Sequence, residues 1–138
     1  MGHYLWLPPV WFDLGAVAFG ALAAARPRAL RPLYAIAAVL ALSIALLPAA
    51  TSPWSAVAVM SAAQVGSGAL RTLVTADLLA RMPSDSIALA AGVLACGQSI
   101  AYIAAGPLIG YAHDHGAAYA TLAVWIAAWL VPGTLLWL

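Results

Sequence analysis

The chain has 138 residues, of which 66% are hydrophobic and only 7% charged, with a formal net charge of +1. This composition excludes an ordinary soluble domain, in which about a quarter of the residues are charged. The charged residues are five arginines and four aspartates, and they form no basic run of the kind that binds nucleic acid.

Five apolar stretches follow one another, each long enough to cross a bilayer core of about 30 Å as a helix. They lie at about 6–25, 33–49, 53–74, 87–112 and 117–138. Backbone polar groups in lipid must be hydrogen-bonded within their own segment, which favours helices. The sequence therefore predicts an all-α integral membrane protein with five transmembrane helices in one membrane domain, 1–138.

The arginines predict the orientation of these helices. Arg26, Arg28 and Arg31 lie between the first two segments, whereas Arg71 and Arg81 lie at or beyond the end of the third. With five spans both regions fall on one side, which the positive-inside rule places in the cytoplasm. We expect the amino terminus outside and the carboxyl terminus inside, in a bacterial inner membrane.

The first segment carries Asp13 roughly a turn or more inside its start. A carboxylate at that depth could bind a cation, carry a proton or pair with an arginine. Alternatively, it is an interfacial aspartate that the dipole of the helix amino terminus favours. Further along, Ala16, Gly20 and Ala24 repeat every four residues and predict a smooth strip for helix packing.

The second segment is predicted to be a lipid-facing support helix. Ser43 is its one mid-span polar side chain, and a lone serine can bond its own helix backbone. A short link, 50–52, predicts a tight helical hairpin with the third segment.

The third segment carries a polar stripe that falls mostly on one helical face. Its members are Ser61, Gln64, Gly68, Arg71, Thr72 and Thr75. Such a stripe usually faces a bundle interior or a water-filled cavity. Taken alone, Arg71 could instead lie near the helix end and extend to the headgroups. Beyond the stripe, a spacing of four residues separates Asp77, Arg81 and Asp85, which allows ion pairs if this stretch is helical. The alternative is a solvated linker.

The fourth segment carries a second polar stripe, because Gln98, Tyr102 and Gly106 share a face. These side chains could bond a solute or merely a neighbouring helix. Gly106 and Gly110 form a Gly-x-x-x-Gly pattern that predicts close packing. Ser84 or Asp85 is the predicted amino-terminal cap of this helix.

The outer loop contains His113, Asp114 and His115, but no other ligand type accompanies them. We therefore predict no metal site, no cofactor and no catalytic residues, and the chain is not expected to be an enzyme. Threonine is the only polar residue type expected within the fifth segment, which is predicted to be a second support helix.

Three motifs resemble the carboxyl-terminal half of major facilitator superfamily transporters. YLWLPPVWFDLGAVAFGALA resembles helix eight of the hexuronate and organic anion:cation symporter branch, and TADLLARMP resembles the connection between helices ten and eleven. GPLIGYAHDHGAAY resembles the end of helix eleven. The resemblance covers essentially the whole chain and implies helices eight to twelve of a twelve-helix fold.

This resemblance implies a fragment of a secondary active transporter that moves a small solute, an organic anion or sugar acid, by alternating access. It implies a substrate pathway of Gln64, Arg71, Gln98 and Tyr102, with Asp13 coupling transport to a proton or sodium ion. The missing amino-terminal helices, or a partner chain, would complete the cavity. The alternative is a small membrane scaffold or partner-binding protein without transport activity, in which the polar stripes only join helices.

Overall fold

The computed structural model describes residues 7–26 and 30–135, with only the backbone of Ala120 included. The helices are α1 (Leu7–Ala25), α2 (Leu30–Leu42), α3 (Pro53–Arg81), α4 (Ile87–Asp114) and α5 (Tyr119–Leu135), and a 3-10 helix (Ser43–Ala49) continues α2. No strand occurs within these ranges. Predictions that concern residues 1–6, Arg28 and 136–138 lie outside the described residues.

In the part of the chain that the structure describes, four helices are long and apolar enough to cross a membrane: α1, α2 together with its 3-10 continuation, α3 and α4. The fifth, α5, contributes a shorter apolar stretch, Thr121–Leu135. The predicted all-helical architecture is therefore confirmed for the described chain, and of the five predicted spans four or five are apolar helices that could cross a membrane. Its finer assignment to half of a transporter fold stays a prediction.

The central helix is α3, which packs against α1 on one side and α2 on the other. Glycines make both contacts close. A side chain at Gly68 would collide with the carbonyl oxygen of Phe12 in α1, and one at Gly66 would collide with the backbone of Ala41 in α2. Gly15 of α1 meets the backbone of Val65 in the same way. Because lipid gives helices no hydrophobic reason to associate, such backbone approaches supply the van der Waals contact that holds them together.

The residue pairs also give the helix directions. Asp13 lies near Gln64 and Gly20 near Thr72, so α1 and α3 run parallel. In contrast, α2 runs antiparallel to α3, because Ala41 meets Gly66 while Tyr34 lies beside Val74. This is the direction expected of the tight hairpin predicted between them.

The apolar core lies where α1, α2 and α3 meet. Its buried members are Phe19, Tyr34, Ala37, Ala69 and Leu73. The last helix, α5, covers the 3-10 helix and part of α2. The second segment was predicted to be a lipid-facing support helix. It also contributes to the core, because the alanine face of α2 that meets Gly66 is buried.

Little of α4 is covered by the rest of the described chain. It touches α3 along a limited seam and has no buried residue. Gly106 and Gly110 are predicted to pack closely, but a methyl group added at either position would have no neighbouring side chain or helix within 4 Å. Their Gly-x-x-x-Gly pattern therefore makes no helix contact within the described chain, and the prediction is wrong there.

The third segment was predicted to end at residue 74, but α3 continues to Arg81. The extra two turns are stabilised by an ion pair between Arg81 and Asp77, with 2.8 Å between nitrogen and oxygen. The helix ends at Arg81, because the backbone of the next residue, Met82, is extended where it precedes Pro83. The solvated linker is therefore shorter than expected.

Two further local predictions differ from the structure. The cap position of α4 is Ser86 rather than Ser84 or Asp85, and its side chain makes no capping hydrogen bond. The end of the second span tightens into the 3-10 helix after the Ser43 hydroxyl donates to the carbonyl of Leu40 at 2.6 Å. That bond confirms that Ser43 is satisfied by its own backbone.

Candidate functional site

Side chains from α1, α3 and α4 line two open clefts on one surface of the molecule. The smaller, which we call the aspartate cleft, has a volume of about 220 Å³ and is lined by Pro9, Phe12, Asp13, Gln64 and Tyr102. The larger, the arginine cleft, has a volume of about 460 Å³. Its walls are Arg71, Thr72, Thr75, Ala76 and Leu79 of α3, with Ala91, Leu94, Ala95 and Gln98 of α4.

The four residues predicted for the substrate pathway, and Asp13 predicted for ion coupling, each line one of these clefts. The structure brings together Asp13, Gln64 and Tyr102, and separately Arg71 and Gln98. The sequence predicted one polar stripe on α3, whereas the structure places Gln64 at one cleft and Arg71 with its neighbouring threonines at the other. The five side chains nevertheless belong to one surface, because α4 runs antiparallel along α3 and passes from one cleft to the other.

The aspartate cleft combines one carboxylate with neutral hydrogen-bonding groups. Asp13 is exposed, Gln64 is half-buried and Tyr102 is 66% exposed. A carboxylate can hold a proton or a cation, and the amide and phenol can donate to or accept from a polar ligand. The cleft thus has the chemistry of a small polar or cationic ligand site.

The arginine cleft carries the opposite charge. Arg71 is exposed, and its guanidinium carbon lies 5.9 Å from the centre of the Phe12 ring on α1. Thr72, Thr75 and Gln98 add neutral polar groups to a wall that is otherwise alanine and leucine. A guanidinium in such apolar surroundings can bind a carboxylate through two parallel hydrogen bonds.

The five polar side chains form no polar bond with the described helices, and Arg71 contacts α1 through the ring of Phe12. Within residues 7–26 and 30–135, none of them makes a hydrogen bond or an ion pair. The hydroxyls nearby behave differently. Ser67 donates to the carbonyl of Ala63 at 2.8 Å, and Ser99 donates to the carbonyl of Ala95 at 3.0 Å. The clefts therefore present polar groups whose bonding capacity is left for a ligand, water or further helices.

The sequence did not single out Phe12, which lines the aspartate cleft and also contacts Arg71. A signal for its position was present. Phe12, Gly15 and Phe19 are three and four residues apart, which places them on one face of α1. That face packs on α3, whereas the predicted strip of Ala16, Gly20 and Ala24 is only partly used, since Ala24 is exposed.

The two histidines at the junction between α4 and α5 form a separate cluster. The ring of His113 stacks on Tyr119 with 4.1 Å between centroids, and His115 lies 4.0 Å from Tyr111. The Nδ1 atoms of both histidines lie within hydrogen-bond distance of backbone carbonyls. Among the described residues, no group of three histidine, cysteine, aspartate or glutamate side chains is arranged to hold a metal ion.

Comparison with known proteins finds no matching family model, no matching curated protein and no matching solved structure. The resemblance to major facilitator transporters accordingly rests on the three sequence motifs alone.

Proposed function

We propose that the chain forms part of a secondary active transporter that moves a small organic anion, such as a sugar acid, by alternating access. The observation that carries the proposal is the shared surface of α1, α3 and α4. Three helices contribute five polar side chains to it, and none of the five is bonded to another described group. Polar groups within membrane helices are costly, and they commonly mark a solute or ion pathway.

The chemistry of the clefts suggests a role for each residue. Arg71 provides the positive charge for a carboxylate, with Gln64, Gln98 and Tyr102 as neutral donors. Asp13 would repel an anion and therefore suits a coupling proton or sodium ion. Both clefts are open, so further helices, from the same polypeptide or from a partner, would close the cavity.

The arrangement of the arginines supports an orientation in the bacterial inner membrane. Tyr34, three residues after Arg31, lies beside Val74. The start of α2 and the end of α3 therefore share one end of the bundle, with Arg31 and Arg81 on it. We propose that this end is cytoplasmic, following the positive-inside rule, with the loop at Asp114 outside.

The test is the uptake of glucuronate by the complete transporter, meaning this chain with the helices that close its open surface. Removing one neutral donor, as in Gln64→Ala, Gln98→Ala or Tyr102→Phe, should weaken the apparent affinity about two- to tenfold. Asp13→Asn should uncouple uptake from the ion gradient. Ser99→Ala is the matched control, because Ser99 is next to Gln98 but its hydroxyl bonds its own helix.

Unchanged affinity and coupling in all four variants, at normal expression, would contradict the proposal. The polar side chains would then be contacts between helices, as the scaffold alternative requires.

A further inference from the structure

Phe12 stands at the boundary between the two clefts. Its side chain lines the aspartate cleft beside Asp13, and its ring lies under the guanidinium of Arg71, which belongs to the arginine cleft. No described residue lines both clefts, and Phe12 connects them through its contact with Arg71.

The position of Phe12 is fixed by the packing of α1 on α3. The backbone of Phe12 seats against Gly68, where any side chain on α3 would collide with the Phe12 carbonyl. On α3, Gly68 lies four residues after Gln64 and three before Arg71, so all three fall on one face. The Phe12 backbone therefore meets the stripe midway, between the residue that lines the aspartate cleft and the residue that lines the arginine cleft.

This position has an electrostatic consequence. An aspartate and an arginine in surroundings of low dielectric constant attract each other strongly and would neutralise one another if they met. Asp13 and Arg71 form no ion pair in the described chain. The face of the Phe12 ring offers the guanidinium a cation–π contact instead, within the distance at which that interaction is favourable.

We propose that Phe12 is a positioning residue that holds Arg71 in the arginine cleft and keeps it away from Asp13. The anionic group of a solute and the coupling cation then bind in separate clefts, each with its own unneutralised charge. The assignment of these two ligands rests on the proposed function, whereas the positioning of Arg71 by Phe12 does not.

Nuclear magnetic resonance of the arginine side chains tests the positioning directly. The chain has only five arginines, so ¹⁵N-arginine labelling in lipid nanodiscs gives few signals, and loss of one in Arg71→Gln identifies Arg71. A guanidinium over an aromatic face carries a ring-current shift. Phe12→Leu should remove that shift while keeping an apolar side chain, and Phe12→Trp should retain a ring-current shift.

Phe19→Leu is the matched control, because it is the same substitution on the same helix at a core position whose ring makes no cation–π contact with Arg71 among the described residues. It should leave the Arg71 signal in place, even if it lowers stability. In the Phe12→Leu background, adding Asp13→Asn should move the Arg71 signal, because the freed guanidinium now senses the carboxylate. In the wild-type background Asp13→Asn should leave that signal nearly unchanged.

Two results would overturn the proposal. One is an Arg71 signal that is the same in wild type and in Phe12→Leu, and the other is an equal response of that signal to Asp13→Asn in both backgrounds. Glucuronate titration separates this result from the fate of the transport function. If the sugar acid binds, Phe12→Leu should weaken its effect on the Arg71 signal about two- to fivefold, and Phe12→Trp should restore it. If glucuronate perturbs no variant while the Phe12 dependence persists, the anion site fails and the positioning stands.

Discussion

Gly66 of α3 lies directly against α2, where the backbone nitrogen of Ala41 occupies the space that a side chain at position 66 would need. Two positions later, Gly68 makes the equivalent contact with α1 at Phe12. Residues two apart on a helix point to nearly opposite sides, so α3 holds a neighbouring helix on each side through a single glycine. These contacts set the position of the polar stripe relative to α1.

Gly66→Ala should destabilise the helix bundle. The added methyl group would lie 2.6 Å from the carbonyl oxygen of Ala37, and backbone cannot move aside without separating the helices. Overpacking of this kind costs about 1–3 kcal/mol. Thermal unfolding in lipid nanodiscs, followed by circular dichroism, measures the effect.

The control for this prediction is Gly97→Ala on α4, where nothing lies within 4 Å of the new methyl group. It should be neutral or slightly stabilising, because alanine favours a helix over glycine by about 1 kcal/mol. Equal losses in both variants would show that α3 does not pack on α2 through Gly66.

Ser52→Ala should lower stability by about 1 kcal/mol, because it removes a helix cap. The Ser52 hydroxyl accepts from the backbone nitrogen of Ser55 at 3.1 Å, and the Ser55 hydroxyl in turn accepts from the backbone of Ser52 at 3.0 Å. Ser86→Ala provides the comparison, since Ser86 holds the same cap position on α4 without a side-chain capping bond. The same unfolding assay should show a loss of stability for Ser52→Ala but not for Ser86→Ala. A comparable loss of stability in both variants would contradict the difference between the two caps.

The orientation can be tested at the two ends of α4. In a Cys96→Ser background, a cysteine at Asp114 should react with a membrane-impermeant reagent added to intact cells. A cysteine at Ser84, which is exposed beyond the other end of the same helix, should react only after permeabilisation. The opposite pattern would reverse the proposed orientation, and labelling of both from outside would show that α4 does not cross the membrane.

The features predictable from the sequence are those that lipid imposes on every segment. Apolar stretches had to be helical, and Pro83 had to end α3 nearby, because these are local consequences of backbone chemistry. The extension of α3 to Arg81 was harder to foresee, since hydropathy falls where Asp77 and Arg81 begin, although their spacing signals a helical ion pair.

Which small residues make helix contacts could not be read from the sequence. Gly66 and Gly68 lie against neighbouring backbones, whereas Gly106 and Gly110 face open space, although the latter pair has the more familiar spacing. A glycine smooths a helix surface wherever it occurs, but the neighbour that uses the surface is decided by the packing of other elements. The packing of α1 on α3 likewise decides which residues of the α3 stripe line each cleft. The sequence therefore indicated one polar stripe and not its division between two clefts.

In the proposed function, the side of α4 that faces α3 borders a polar pathway, whereas the opposite side faces lipid. Cys96 and Gln98 allow a comparison at nearly equal depth, since they are about 3 Å apart along the helix axis. Gln98 lines the arginine cleft with Arg71, but Cys96 lies with Leu89, Val93 and Ile100 on the far side of the helix.

The most direct measurement is the rate at which a hydrophilic thiol reagent modifies each position in membranes that contain the protein. Because the thiolate is the reactive form and needs water to exist, a cysteine in a polar pathway reacts faster than one facing lipid. We expect Gln98→Cys in a Cys96→Ser background to react clearly faster than native Cys96. Equal rates, or faster modification of Cys96, would contradict it.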